Sequence, residues 1–253
     1  METNERLLHY TVTGIGEPLV FLNGFMEDTS IWETVTAGFQ NNTCICIDLH
    51  GHGESFFEEE AIPSIALMAE QVRTLLDELS IGNYQLIGHS LGGYVGLELL
   101  KSDADLEQLV LFHSHPWPDN EQKKKDRDRV IELVQTKASF FIREAIPKLF
   151  ASPEKHPETI ERYCQIAENM PPAAIGWSAA AMRDRPSYVN ILAEKSGQVS
   201  IVQGEKDALI PAKELHALAE THGIHWFEIS GCGHMSHEEK PEKALEILRT
   251  ILG

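Results

Sequence analysis

The sequence contains no run of eighteen apolar residues, so no segment reads as a membrane-spanning helix. Cysteine is scarce, four in 253 residues with no paired spacing, which excludes a disulfide scaffold. Cys44 and Cys46 alternate on one expected strand and are badly placed to bridge. Positive charge is also short: 21 Lys and Arg stand against 39 Asp and Glu, a formal net charge of −18. That balance argues against nucleic acid or an anionic membrane as a partner. The one basic cluster, Lys123-Lys124-Lys125, lies among acids in a polar helical stretch and reads as a solvated helix face. Internal repeats, low-complexity tracts and flexible linkers are missing too. Met1-Glu2-Thr3-Asn4-Glu5-Arg6 lacks the basic and apolar regions of a leader peptide, so the expectation is a reduced, cytoplasmic protein.

What is present is an alternation of short apolar strands and amphipathic helices. Leu7 to Thr13 alternates apolar and polar residues; Leu19-Val20-Phe21-Leu22 and Cys44-Ile45-Cys46-Ile47-Asp48 are continuous apolar runs. Such runs suit strands buried on both faces. A helix is expected from Asp28 through Trp32, Val35 and Phe39, and another after Ser64 with apolar positions at 3.6 spacing. Tyr84 to Ile87 and Leu109 to Phe112 read as further strands. The alternation then breaks. From His113 to Ser196 no convincing strand appears; helices are expected over 120–137, 139–150, 157–169, 172–184 and 186–195, punctuated by prolines. Val199 to Gln203, a helix from Pro211, His225 to Ile229 and a last helix from Pro241 restore the pattern. The expected architecture is α/β, a mostly parallel twisted sheet flanked by helices, with a core domain of residues 1–113 and 196–253 and an all-helical cap at 114–195.

Chemistry concentrates at Gly88-His89-Ser90-Leu91-Gly92, with a strand before it and a helix-like run after it. A Gly-x-Ser-x-Gly in that context is a nucleophile elbow, a turn tight enough to lift the serine Oγ clear of the sheet. A serine hydroxyl needs a base beside it and an acid to orient the base. Asp207 follows one downstream strand and His234 the next, in the order Ser, Asp, His that an elbow requires.

With these motifs the chain resembles the α/β-hydrolase superfamily over nearly its whole length. Gly204-x-x-Asp207-x-x-x-Pro211, Gly231-x-Gly233-His234 and the loop Asp48-x-x-Gly51-x-Gly53-x-Ser55 all match that family's pattern. The resemblance implies a Ser90, His234, Asp207 triad and an oxyanion hole from the backbone N–H groups of Phe25 and Leu91. It implies a serine hydrolase for a small carboxylic ester or related acyl compound. Met26, His113, Trp117, Trp177 and Met235 are expected at the substrate pocket. No cofactor is expected, and no metal, because His113-Ser114-His115 lacks a carboxylate at ligand spacing. Bulky cap residues such as Phe140, Phe141, Phe150 and Met182 point to short or medium acyl groups rather than long chains.

The chain departs from the pattern at His50, where many relatives carry Arg, and at Asn23, where His is common; Asn23 is expected to hold the loop by hydrogen bonds. His89 is expected to pack or bond a loop. His237 is a rival base, Asp184 and Glu205 are rival acids, and Cys232 reads as buried packing. Two other functions fit the same residues. One is a different reaction on the same three residues: carbon–carbon bond hydrolysis, enol-lactone hydrolysis, lyase or cofactor-free haloperoxidase chemistry. The other is a ligand-binding receptor of the same fold.

Overall fold

The structure, a computed structural model, describes residues 7–253; the leader-peptide expectation for residues 1–6 lies outside them. Among the described residues seven strands form one sheet: β1 (Tyr10–Thr13), β2 (Glu17–Leu22), β3 (Asn42–Ile47), β4 (Tyr84–His89), β5 (Leu106–Phe112), β6 (Val199–Gly204) and β7 (His225–Ile229). Their spatial order is β1-β3-β2-β4-β5-β6-β7. β1 runs antiparallel to β3 and every other neighbouring pair is parallel. The expected first strand is shorter than its alternating pattern, since Leu7 to His9 precede the ladder.

The continuous apolar strands explain the two-sided core. Val20 and Leu22 of β2 face a cluster built with α2 (Ile65–Glu78), α3 (Leu91–Leu100) and α8 (Ala212–His222). Leu19 and Phe21 face the opposite cluster, with Trp32, Val35 and α10 (Pro241–Leu252). Burying side chains of this size contributes about 1.5–3 kcal/mol each. The Ser64 hydroxyl caps α2, accepting from the N–H groups of Ala66 and Leu67. Gly223, in the left-handed conformation, ends α8.

The helix expected from Asp28 to Phe39 is mostly a 3-10 turn, Thr29–Trp32, with Asp28 as its N-cap, followed by the single turn α1 (Glu33–Thr36). Thr34, Val35 and Thr36 are β-branched and Gly38 follows, a run that does not sustain a longer helix.

Between β5 and β6 the chain is helical: α4 (Glu121–Ala145), α5 (Pro157–Asn169), α6 (Pro172–Arg183) and α7 (Val189–Glu194). The two helices expected over 120–137 and 139–150 are one bent element. Lys137 leaves helical geometry inside α4 (φ −143°, ψ 43°), and Ile146–Leu149 tightens into a 3-10 turn around Pro147. α6 packs along α4, and Ala174, Gly176 and Ala181 keep its surface small. α9 (Ser236–Glu239) is a single turn before α10. No helix among the described residues is long and apolar enough to cross a membrane. All four cysteines are free and buried.

Candidate active site

Ser90 sits between β4 and α3 with φ 49° and ψ −107°. A non-glycine residue at positive φ stores about 1–3 kcal/mol of strain and persists only where its neighbours fix it. Here three bonds do so: Ser90 N–H donates to Phe112 O (3.0 Å), Gly93 N–H to Ser90 O (3.0 Å), and the Ser114 hydroxyl to Ser90 O (2.8 Å). The flanking glycines are a matter of space. A Cβ on Gly88 would lie 2.5 Å from Gly93 N, and one on Gly92 would lie 2.7 Å from Leu22 O. Of the two residues expected to donate, Leu91 opens α3, where backbone N–H groups lack helical partners, and Phe25 lines the same cavity as Ser90.

Asp207 follows β6 and His234 follows β7, so both loops leave the carboxyl edge of the sheet, where sites of parallel sheets gather. His234 N–H donates to Leu149 O (2.7 Å) and its Nδ1 lies 2.7 Å from Asp207 Oδ2. With Nδ1–H given to the carboxylate, Nε2 carries the lone pair. The other Asp207 oxygen accepts from the N–H groups of Leu209 (2.9 Å) and Ile210 (3.3 Å). Burial alone would raise the Asp207 pKa. Electrostatic pairing with His234 and the hydrogen bonds from His113 and His234 outweigh it and hold the carboxyl far below the usual range.

His113 is a correction. Expected at the pocket wall, it is fully buried behind the acid, with φ 51°. Its Nδ1 lies 3.1 Å from Asp207 Oδ2 and its Nε2 lies 2.7 Å from Ser236 Oγ. Burial pushes it down to about 4, so it is neutral: Nδ1–H donates to Asp207 and Nε2 accepts from the Ser236 hydroxyl. Trp117, Trp177 and Met235 are corrected as well, because none of them lines the cavity. The half-buried Trp117 ring lies 5.3 Å from that of His115. Trp177 donates from Nε1 to Ala61 O (2.6 Å) and packs on His50 at 4.6 Å. Met235 is wholly buried in the core. Met26 does line the cavity.

The two departures keep their loops together. Asn23 donates to Gly24 O (2.8 Å) and Glu27 O (3.1 Å), and its Oδ1 accepts from Leu49 N–H (2.9 Å). His50 is buried with Nδ1 3.2 Å from Gln71 Nε2. His89 bonds loops on both sides, with Nδ1 2.8 Å from Glu27 Oε2 and Nε2 3.0 Å from His234 O. Burial opposes its charged form, but the Glu27 charge and hydrogen bond prevail and raise its pKa. Glu27 also accepts from Gly24 N–H (2.6 Å), so this buried pair ties the Phe25 loop to the His234 loop. Nothing in the local sequence marks Glu27, because its partner His89 lies 62 residues away.

The rivals stand elsewhere. His237 is buried against Tyr163 OH (3.0 Å), Asp184 pairs with Arg183 at the surface, and Glu205 accepts from Gly231 N–H (2.7 Å). The Cys232 thiol is pushed up to about 12, first by burial, and is inert. Ligand atoms of His113, Asp207 and His234 lie within 4.8 Å of one another, a spacing that suits a metal ion. Each Nδ1 instead hydrogen-bonds Asp207 Oδ2.

Ser90 and His234 open into a cavity of about 380 Å³ between the sheet edge and the helical insertion. Phe25, Met26, Val130, Phe141, Leu149 and Met182 form its apolar wall. Phe140 is exposed and Phe150 is buried away from the cavity.

The sequence matches the alpha/beta hydrolase family over residues 19–247, and the chain belongs to that family. It is 27% identical over 247 residues to a 2-succinyl-6-hydroxy-2,4-cyclohexadiene-1-carboxylate synthase of Klebsiella pneumoniae, covering 92% of this chain and 93% of that one. An esterase of Mycobacterium tuberculosis is 25% identical over 253 residues, covering 94% and 84% respectively. Among solved structures, a thermophilic esterase from Thermogutta terrifontis, with malate bound, superposes with a TM-score of 0.89 at 29% identity, covering 96% of this chain and 92% of that one.

Proposed function

We propose that the chain is a serine hydrolase acting on a small carboxylic ester or related acyl compound. The observation that carries this reading is Ser90, held at positive φ and facing one cavity with His234, whose Nδ1 is bonded to an ionised Asp207. In this reading Ser90 Oγ attacks the ester carbonyl and His234 Nε2 takes its proton. The tetrahedral oxyanion accepts hydrogen bonds from the Phe25 and Leu91 N–H groups, each worth about 3–4 kcal/mol in the transition state. The carbon–oxygen bond breaks, and the proton on His234 leaves with the alcohol. Water then gives a proton to His234 and attacks the acyl-enzyme, releasing the acid and restoring Ser90. His113 adds a second hydrogen bond to Asp207 and acts as a positioning residue. The helical insertion serves as the cap that shapes the acyl pocket. No cofactor enters these steps.

A cavity of about 380 Å³ suits a small ligand. p-Nitrophenyl butyrate is therefore expected to show far higher kcat/KM than p-nitrophenyl palmitate, and Ser90→Ala to lower butyrate turnover by several orders of magnitude. Undiminished turnover in Ser90→Ala would overturn the nucleophile, and a preference for palmitate would overturn the small pocket. A second reading keeps the three residues and changes the reaction. It is favoured by the 27% identity to a protein named as a synthase, and turnover of no ester at all would turn the choice toward it.

A further inference from the structure

The cavity wall carries cations that ester cleavage leaves unused. Lys123 and Arg127 stand four residues apart on α4, which puts them on one face of the helix, and Val130 continues that face into the cavity. In a chain of formal net charge −18, these two cations on the wall run against the overall trend; a third, Lys148, is mostly exposed and lies 3.7 Å from Glu144.

Their hydrogen bonds are incomplete. Lys123 Nζ donates to Leu209 O (3.0 Å), one bond for three N–H groups. Arg127 gives Nε to Asp119 Oδ2 (3.2 Å), and its two terminal nitrogens have no partner among the described residues. Asp119 is shared: the fully buried Arg185 guanidinium lies 2.8 Å from its other oxygen. One carboxylate therefore faces two guanidinium groups. Arg185 has a further buried nitrogen, Nη2, with no partner, and its Cζ lies 4.1 Å over the ring of Tyr94, which lines the cavity. The field of this cluster reaches the neighbouring wall residue His115, whose pKa is held well below its usual value by burial and then by Arg185, Lys123 and Arg127.

The acids in the same wall are engaged elsewhere. Asp126 accepts from Gln122 Nε2 and Arg129 Nη1, both at 3.0 Å, and Glu27 holds Gly24 N–H and His89. A neutral acyl chain closing over Lys123 and Arg127 would strip water from them and return nothing. A carboxylate would return charge-assisted hydrogen bonds, and a guanidinium fork matches it in two places at once. Resting on the serine-hydrolase reading, we infer that the natural substrate carries a second, anionic group, a carboxylate beside the scissile ester, held by Arg127 and Lys123.

Two pairs of substrates test this in the wild-type protein. p-Nitrophenyl hemiglutarate against p-nitrophenyl pentanoate places the charge on the acyl side; 4-acetoxybenzoate against 4-methylphenyl acetate places it on the leaving group. In one pair the anionic ester is expected to exceed its neutral partner in kcat/KM by on the order of tenfold or more, the worth of a charge-assisted hydrogen bond. Added salt should narrow that ratio, and Arg127→Gln and Lys123→Gln should each narrow it further. Glutarate should compete with the neutral ester more strongly than glutaramide does, a comparison that needs no variant. Hydrolysis of the neutral esters as well as or better than both anionic ones, with no inhibition by glutarate, overturns the inference and leaves the hydrolase reading standing. Absence of all ester turnover together with absence of serine labelling overturns both.

Discussion

At the scale of single residues, histidine burial has a consequence for stability. His52 and His113 are fully buried and pushed down to about 4, in each case first by burial, and His115 and His237 also lie well below their usual value. Between pH 6.5 and 4 the unfolded chain binds protons at these sites that the folded chain does not, so stability falls as pH falls through that window. The loss is roughly 3 kcal/mol for each of His52 and His113. His89, raised by Glu27 against its burial, has the opposite sign, and its contribution is lost only as pH climbs through its folded value. The thermal midpoint is expected to drop steadily from pH 7 to 4.5, and His52→Asn to make the decline shallower by about one proton. An unchanged slope would count against a neutral, buried His52. Which histidine does what was only partly legible in the sequence. His234 announces itself through Gly231-x-Gly233. His113 reads as a mouth residue, but with φ at 51° its ring turns inward to Asp207, and His115, two positions on, takes the wall. Lys123 was hidden for a similar reason: the run Lys123-Lys124-Lys125 looks uniform, while a helix turns about 100° per residue. Only Lys123 of the three lines the cavity.

At the scale of elements, the elbow depends on bare backbone. A Cβ on Gly88 would lie 2.5 Å from Gly93 N, against main chain that has no rotamer to change. Gly88→Ala is expected to cost about 1–3 kcal/mol, lower the thermal midpoint by several degrees and cut kcat/KM about a hundredfold through displacement of Ser90. Gly82→Ala, where a Cβ meets nothing within 4 Å, is the control and should change neither. Equal effects of the two substitutions would contradict a steric origin. The strands were legible because their apolar runs are short and uninterrupted; their ends moved by a few residues because the ladder, not hydrophobicity, ends a strand. The break in α4 at Lys137 was legible as a gap between two helical patterns. The shortness of α1 was not, because Trp32 and Val35 are buried in the core whether or not a helix carries them.

At the scale of the molecule, the loops after β4, β6 and β7 bring Ser90, Asp207 and His234 from distant parts of the chain to one edge of the sheet. Motif order and topology carry that much in the sequence, because each motif follows its own strand. The pocket wall depends on how α4 and α6 dock over the sheet, which no local pattern encodes; hence bulk in the sequence points to Trp117 and Trp177, while the wall is built with Val130 and Arg127. The central claim is that this assembly makes one serine nucleophilic. It is tested most directly by treating the wild-type protein and Ser90→Ala with a fluorophosphonate, weighing each intact and mapping the adduct by peptide fragmentation. The expected result is a single adduct on Ser90 in the wild type and none in the variant; an unlabelled wild type, or an adduct of the same mass on Ser90→Ala, would contradict it.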